Sequence, residues 1–236
     1  MSHFIILTTP RSGSTWLGSL LNDHPKVDVY GELFLPHDVP DKYADMRKND
    51  PEKFFRFREA SRLKRPKVTS AYLDKVFSAS KNACGFKLMA APLIKHPEIL
   101  LYCKRNQIKV IHLTRNTQDR VISYAIAKQR NNFHNLKQPS DLSDKITLDI
   151  KTVQKLYRRQ KLLDNALKVI TKIIRSPKIS IDYQELHQNT DDTLNNIHEF
   201  LGLTAHKPTS DLQKSSSIPY QEQIENFNDI EKIFKS

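Results

Sequence analysis

Residues 9–16, TPRSGSTW, combine a basic side chain, a glycine and several hydroxyl groups in one short segment. An apolar, branched run at residues 3–8 predicts a buried strand before it, and apolar residues at helical spacing predict a helix from Ser14 onward. The first N–H groups of such a helix lack internal partners and lie at the positive end of its dipole, where they bind phosphate. The Arg11 guanidinium offers further donors to the same anion. The candidate residues of this anion site are Arg11, Ser12, Gly13, Ser14, Thr15 and Trp16.

The anion site lacks the features of an ordinary nucleoside-triphosphate enzyme. It has one glycine and no lysine directly before its Ser-Thr pair, so the GxxxxGK[ST] phosphate loop is absent. No second acidic strand end that could hold magnesium is evident in the sequence. A small-molecule kinase with an atypical loop is therefore an alternative hypothesis, and an ordinary helix N-terminus after a strand is the alternative without function.

A second group of polar residues follows the predicted strand at 109–114. Arg115 leaves the end of that strand, and Ser123 lies eight positions later on the next helix. A guanidinium and a hydroxyl in these positions can bind one phosphate from two sides. Such a site can also reject a ligand that lacks this phosphate, because its donors would then be left unpaired. The alternative is a surface ion pair for Arg115 and an ordinary helix hydroxyl for Ser123.

Three segments, in this order, resemble the sulfotransferase family that uses 3′-phosphoadenosine-5′-phosphosulfate (PAPS). Residues 10–17, PRSGSTWL, resemble its 5′-phosphosulfate loop, and residues 112–116, HLTRN, with Ser123 resemble its 3′-phosphate motif. Residues 179–186, ISIDYQEL, resemble the strand that ends in a tyrosine and an acidic-leucine pair, and the likeness continues to about residue 203. The resemblance implies transfer of a sulfuryl group from PAPS to an acceptor hydroxyl, without a metal.

The resemblance also implies which residues contact the rest of the nucleotide. Tyr183 is expected near the adenine, and Trp16 offers a second aromatic surface to the base, although both residues have an alternative role as core aromatics. The basic, glycine-containing 3′-phosphate loop of cytosolic members is not evident beyond residue 203. Lys214 with Ser215 is the candidate substitute for that loop.

The catalytic base is expected to differ from the histidine that cytosolic members of the family use. Residues 85–89, GFKLM, place Met89 at the matching position. Residues 30–34, YGELF, instead resemble bacterial carbohydrate sulfotransferases of the nodulation-factor and trehalose types, in which a glutamate of this region is the proposed base. Glu32 is therefore the expected base, and its apolar neighbours are expected to raise its pKa.

Two cations are expected to assist the reaction by stabilising charge on the sulfate. Lys87 leaves a predicted strand toward the carboxyl edge of the sheet, and Arg11 lies in the anion site. The alternative for Glu32 is a strand-end carboxylate that pairs with one of these cations. His24, at a helix exit, and His112, inside a predicted strand, are the competing bases.

Five short apolar segments are predicted strands, and helical or polar stretches rather than hairpin turns separate them. They are residues 3–8, 27–30, 84–89, 109–114 and 178–181. Apolar residues three or four apart predict a long amphipathic helix within 146–174. The alternation predicts an α/β chain with a P-loop-like three-layer fold, in which helices flank a central parallel sheet.

We expect one domain over residues 1–236, with a helical insertion at about 38–80 and an exposed polar loop at about 131–145. A hydrophobic content of 38% excludes a disordered chain, and the apolar runs are too short for a membrane span or a signal segment. Two cysteines without CxxC spacing suit neither a disulfide framework nor a structural zinc site. These observations predict a cytoplasmic protein.

The formal net charge of +12 predicts attraction to anions. The basic residues are spread along the chain among 26 acidic ones, so no nucleic-acid partner is expected. A non-catalytic polyanion-binding protein is the alternative from another class, and steep salt dependence without nucleotide binding would favour it. The expected partner is instead a hydroxyl-bearing small molecule or glycan, most naturally a carbohydrate or glycolipid.

Overall fold

A computed structural model describes residues 2–34, 60–80, 82–130, 145–208 and 219–235. The strands are β1 (His3–Thr8), β2 (Val27–Tyr30), β3 (Ala83–Met89), β4 (Lys109–Thr114) and β5 (Lys178–Asp182). The helices in the described residues are α1 (Ser14–Asn22), α2 (Arg65–Ser78), α3 (Ala90–Lys95), α4 (Glu98–Arg105), α5 (Thr117–Gln129), α6 (Ile150–Ile173), α7 (Tyr183–Gln188), α8 (Thr190–Leu201), α9 (Tyr220–Gln223) and α10 (Phe227–Lys235). The strands form one parallel sheet in the order β2-β3-β1-β4-β5.

The sheet follows from the apolar runs of the sequence. Residues 4–7 of β1 are fully buried, and every residue of β3 is buried. Continuous apolar runs of this kind are typical of parallel strands that are covered on both faces. The predicted bounds of β1, β2 and β4 match the structure, whereas β3 begins one residue earlier and β5 ends one residue later than predicted. The predicted α/β class with a central parallel sheet is confirmed.

Two apolar clusters cover the two faces of the sheet. Ile5 and Leu7 pack in the first cluster, together with side chains of α2, α4 and α6. Phe4 and Ile6 pack in the second, together with side chains of α1 and α8. Successive side chains of a strand point to opposite faces, so β1 contributes to both clusters. The sheet therefore lies between two layers of helices, as predicted.

The long helix α6 begins at Ile150 rather than at residue 146. Asp149 caps its start, because the carboxylate accepts a hydrogen bond from a backbone N–H of the first turn at 2.8 Å. Ile146, which is apolar like the helix residues, forms a parallel β-bridge with Ile224 instead. The C-terminal described segment, where the sequence analysis placed no element, thus packs beside the start of α6.

Two predicted features fall wholly or partly outside the described residues. Of the expected helical insertion at about 38–80, the structure describes residues 60–80, which contain α2. The expected polar loop at about 131–145 lies outside the described residues apart from Lys145. Within the described part of the chain, no helix has the length and apolar character needed to cross a membrane.

Candidate functional site

The predicted site segments lie at the carboxyl ends of the strands. β1 runs into the turn at residues 9–13 and then α1, β4 runs into Arg115 and α5, and β5 runs directly into Tyr183 of α7. β1 pairs with β4, and β4 pairs with β5, so these three connections are neighbours. Because all strands are parallel, their carboxyl ends share one edge of the sheet, which is where open α/β folds bind ligands.

The turn at residues 9–13 presents the N-terminus of α1 to an anion. Gly13 precedes the helix with a left-handed φ of 87°, and no side chain caps the helix start. Arg11 has a φ of 66°, which costs on the order of 1 kcal/mol for a residue with a side chain. Thr9 and Ser12 stabilise the turn through hydroxyl groups that lie 3.2 Å apart. The first N–H groups of α1, with the Ser14 backbone among them, are therefore donors for a phosphate-like group.

Replacing Gly13 by alanine is expected to lower both stability and nucleotide affinity. A Cβ at this position would lie 2.5 Å from the Tyr183 ring, and the left-handed φ is costly for alanine. We expect a loss of about 2–3 kcal/mol in the free energy of unfolding, measured with urea, and weaker nucleotide binding by calorimetry.

Gly202→Ala is the matched control for this change. Gly202 has a similar φ of 78°, but no atom lies within 4 Å of the Cβ that alanine would add. We expect a loss of about 1 kcal/mol in stability and no change in nucleotide affinity. Equal losses of affinity in the two variants would contradict a binding role for the Gly13 turn.

Arg11 joins the two segments that were predicted to bind phosphate. Its Nε donates a hydrogen bond to Ser123 Oγ at 3.2 Å, across 112 residues of sequence. Its carbonyl oxygen accepts a hydrogen bond from Arg115 Nη1 at 3.1 Å. The structure therefore brings the turn, Arg115 and Ser123 into one cluster, which is the arrangement that binding of a single nucleotide at two phosphates requires.

Arg115 is held by aromatic side chains and keeps one donor unused. Its guanidinium carbon lies 4.1 Å from the centroid of the Tyr183 ring, and its Nη2 donates to Tyr220 Oη at 3.3 Å. Its Nε is buried and has no hydrogen-bond partner among the described residues. A buried donor without an acceptor is costly, so this nitrogen is a candidate donor to a ligand oxygen.

Positive charge is concentrated in this cluster. Burial lowers the pKa of the Arg11 guanidinium below its ordinary value, and the neighbouring charge of Arg115 lowers it further. Burial raises the pKa of Tyr220, so its hydroxyl stays protonated at neutral pH and donates to the Asp119 carbonyl at 3.3 Å. Two adjacent guanidinium groups repel each other, and a bound anion would relieve that repulsion.

Tyr183 and Trp16 form an aromatic wall beside the turn. Their ring centroids are 5.9 Å apart, and their planes meet at 69°. The Tyr183 ring lies against Gly13 and Arg115 and is 8% exposed, whereas Trp16 on the first turn of α1 is half-buried. Tyr183 thus packs as a core aromatic and at the same time lines the site between its two predicted phosphate-binding ends.

The predicted catalytic groups also contact the helix that follows the turn. Lys87 Nζ donates to Thr15 Oγ1 at 3.4 Å and lies 3.9 Å from Glu32 Oε1. Lys87 is buried, and the Glu32 side chain keeps 20% of its surface exposed. The ion pair that was the alternative role of Glu32 is therefore present, and the same contact places the carboxylate beside the first turn of α1.

Comparisons with known proteins decide the family to which this site belongs. The family model of the sulfotransferase domain matches residues 1–232. The chain belongs to the sulfotransferase family. Nodulation protein H of Rhizobium tropici is 26% identical over 240 residues, which cover 98% of this chain and 88% of that protein. A sulfotransferase from Alicyclobacillus acidocaldarius shares the fold with a TM-score of 0.55 and 16% identity, over 92% of this chain and 87% of that chain.

The competing histidines, His24 and His112, lie outside the cluster of Arg11, Arg115 and Ser123. His24 is 3% exposed and precedes β2 at the amino edge of the sheet, where its Nε2 bonds to the Thr204 carbonyl at 3.3 Å. His112 lies within β4, and burial lowers its pKa. Met89 ends β3 as a buried apolar residue. Of the residues weighed as bases, Glu32 is the one that lies next to the first turn of α1.

His24 belongs to a histidine cluster that is expected to make the stability of the sulfotransferase depend on pH. The His198 ring lies 4.9 Å from the His24 ring, and neither His198 nitrogen has a hydrogen-bond partner among the described residues. Burial, with a smaller contribution from the charges of His24 and His206, lowers the pKa of His198 to about 4. An unfolded histidine has a pKa of about 6.5, so between these two values the unfolded state binds more protons.

Stability is therefore expected to fall as pH falls from 6.5 toward 4. Between pH 7 and pH 5 the loss from His198 alone is expected to be about 2 kcal/mol, measured by urea unfolding. His198→Leu should remove that part of the pH dependence, because leucine does not titrate. A variant with the same pH profile as the wild-type protein would show that another group is responsible.

Lys214 and Ser215 lie outside the described residues, so their part in the 3′-phosphate site stays a prediction. No cluster of His, Cys, Asp or Glu that could hold a metal ion occurs among the residues that the structure describes. Tyr220 was not predicted as a site residue, and its contact with Arg115 spans 105 residues. Its only sequence signal, an aromatic residue after a proline, is too weak to have singled it out.

Proposed function

We propose that this sulfotransferase moves a sulfuryl group from PAPS to a hydroxyl of a carbohydrate or glycolipid acceptor. The observation that carries this proposal is the contact of Arg11 with both Ser123 and Arg115. It joins the turn that suits a 5′-phosphosulfate to the pair that suits a 3′-phosphate. PAPS carries both groups on one adenosine, so a single ligand would occupy both ends of the cluster.

The choice of PAPS over ATP is supported by the donors around Arg115. Its Nε is buried without a partner in the described structure, so a ligand that supplies an acceptor there removes an unfavourable contact. A nucleotide without a 3′-phosphate leaves this donor unpaired. The discrimination that follows from one unpaired charged donor is about tenfold to a hundredfold in affinity.

In the proposed reaction, Glu32 acts as the general base. Its carboxylate takes the proton of the acceptor hydroxyl while that oxygen forms a bond to sulfur. The bond from sulfur to the bridging oxygen of the 5′-phosphate breaks, and its electron pair leaves with 3′-phosphoadenosine-5′-phosphate (PAP). Lys87 and Arg11 stabilise the negative charge that develops on the sulfuryl and phosphate oxygens. The contacts of Lys87 with Glu32 and Thr15 support this division of roles.

The acceptor class is supported by the segment around Glu32 and by one relative. Residues 30–34 resemble bacterial carbohydrate sulfotransferases, and nodulation protein H aligns with nearly the whole chain. A sugar hydroxyl is a poor nucleophile until a base removes its proton, which fits a carboxylate beside the sulfate position. A carbohydrate or glycolipid hydroxyl is therefore the acceptor that we expect.

Calorimetric titration with PAP, ADP and ATP tests the proposal. PAP is expected to bind about tenfold to a hundredfold more tightly than ADP or ATP. ATP binding as tight as PAP binding would instead support a kinase. Absence of nucleotide binding, together with steeply salt-dependent binding of heparin, would support a polyanion-binding protein. A screen with ³⁵S-labelled PAPS against glycans, glycolipids, small alcohols and peptides then identifies the acceptor.

A further inference from the structure

Arg120, on α5, is a buried cation for which the proposed reaction has no direct use. Its side chain is 1% exposed, and it is the bulkiest of the fully buried side chains of the described residues. A guanidinium in such a place is tolerated only when acceptors satisfy its donors. Its acceptors are the Arg115 carbonyl at 3.1 Å from Nε, Thr9 Oγ1 and Gln160 Oε1 at Nη1, and Thr117 Oγ1 and Asp164 Oδ2 at Nη2.

Two of these acceptors belong to the two ends of the nucleotide site. The Arg115 carbonyl is the backbone of the residue proposed to bind the 3′-phosphate. Thr9 begins the turn proposed to bind the 5′-phosphosulfate, and its hydroxyl lies 3.2 Å from Ser12 Oγ. One buried guanidinium therefore contacts both segments through different nitrogens.

The direction of these hydrogen bonds follows from the chemistry of arginine. A guanidinium only donates, so the Thr9 oxygen must accept from Arg120. A chain of hydrogen bonds then runs from Arg120 through the Thr9 hydroxyl to the Ser12 hydroxyl in the turn. Removing the Arg120 fork would therefore disturb the turn, although Arg120 itself is buried.

The opposite side of the guanidinium is fixed to α6. Gln160 accepts from Nη1 at 2.8 Å, and Asp164 accepts from Nη2 at 2.5 Å. Asp164 also accepts from Thr117 Oγ1 at 2.6 Å, and it forms the ion pair that balances the Arg120 charge. The guanidinium is thus anchored to α6, a helix that contributes no residue to the proposed nucleotide site.

We infer that Arg120 is a positioning residue that fixes the Arg115 segment and the Thr9 turn relative to each other. The inference rests on the proposed function, because the distance that matters is the one between the two phosphates of PAPS. Arg120 sets this distance by holding the Arg115 carbonyl with one nitrogen and the Thr9 hydroxyl with another. PAP, which contacts both segments, depends on it more than a nucleotide with one phosphate.

Arg120→Lys tests this role, because lysine keeps the charge beside Asp164 but loses the planar fork. Dissociation constants for PAP, 5′-AMP and 3′-AMP are measured by competition calorimetry on the full chain. We expect PAP affinity to fall by about tenfold or more, and the ratio of 5′-AMP to PAP dissociation constants to shrink. The ratio is informative because a smaller folded fraction changes both constants equally.

Two further variants separate positioning from folding. Thr9→Val leaves the ion pair between Arg120 and Asp164 intact. We expect this variant to bind 5′-AMP and PAP more weakly, whereas its affinity for 3′-AMP stays the same. Val121 follows Arg120 on α5 and is fully buried. Val121→Ala is therefore the control, and we expect it to lower the melting temperature without changing any of the three dissociation constants.

If Arg120→Lys had a lower melting temperature but unchanged dissociation constants, Arg120 would stabilise the fold only and would not position the nucleotide site. If that variant does not fold, Thr9→Val decides: unchanged 5′-AMP affinity would overturn the inference. Failure of the wild-type protein to bind PAP is a different result, since it would remove the proposed function before any Arg120 variant is compared.

Discussion

Glu32→Gln is expected to lower the rate of sulfuryl transfer by about 10²-fold to 10⁴-fold while PAP still binds. Glutamine has nearly the same shape as glutamate, but its amide cannot take a proton from the acceptor hydroxyl. Glu32 lies 3.9 Å from Lys87, which in turn donates to Thr15 on the first turn of α1. The loss should therefore appear in kcat, measured as PAP release with the acceptor found in the screen, and not in the PAP dissociation constant.

Glu98→Gln is the matched control for this experiment. Glu98 also forms an ion pair at 3.9 Å, in this case with Arg65 of α2, and its contacts with His96 and Thr69 involve no site residue. We expect turnover to stay within about twofold of the wild-type value, because Glu98 contacts no group that is proposed to act in the reaction. If Glu32→Gln retained turnover like the control, Glu32 would be a paired carboxylate and not the base.

The fold is largely predictable from local pattern because its strands are buried on both faces. In β1 and β4 the apolar residues lie between one polar residue at each end of the strand, so the local pattern gives the bounds. The start of α6 could not be predicted in the same way. Ile146 has the spacing of a helix residue but bonds to Ile224, and periodicity does not reveal which partner an apolar side chain will contact.

The candidate site, like the fold, could be predicted from the sequence only in part. Arg11, Arg115 and Ser123 could be selected from the sequence because each occupies a fixed position relative to a strand end and the next helix. Their mutual contacts could not be predicted, since they depend on β1 and β4 being neighbours in the sheet. The same holds for Tyr220 and for the contact of Arg120 with Thr9, since both depend on the packing of elements that are distant in the sequence.

Arg115→Met is expected to weaken PAP binding by about tenfold to a hundredfold and 5′-AMP binding by less than about threefold. Methionine preserves apolar contact with the Tyr183 ring but removes the guanidinium, which lies 4.1 Å from that ring. The lost donors include the buried Nε that has no partner in the described structure. Only a nucleotide with a 3′-phosphate is expected to use that nitrogen, so the loss should be specific to PAP.

Arg105→Met separates this effect from a general change in charge. Arg105 is exposed in the last turn of α4, and its replacement lowers the net charge by the same amount. A loss of long-range attraction would weaken the binding of both nucleotides slightly in both variants, and salt would screen this effect. A 3′-phosphate contact predicts instead that the ratio of 5′-AMP to PAP dissociation constants falls only in Arg115→Met.

Equal losses for the two nucleotides in that variant would mean that Arg115 serves the 5′ end through the Arg11 carbonyl, to which it donates at 3.1 Å. The specificity for PAPS would then have to come from other residues.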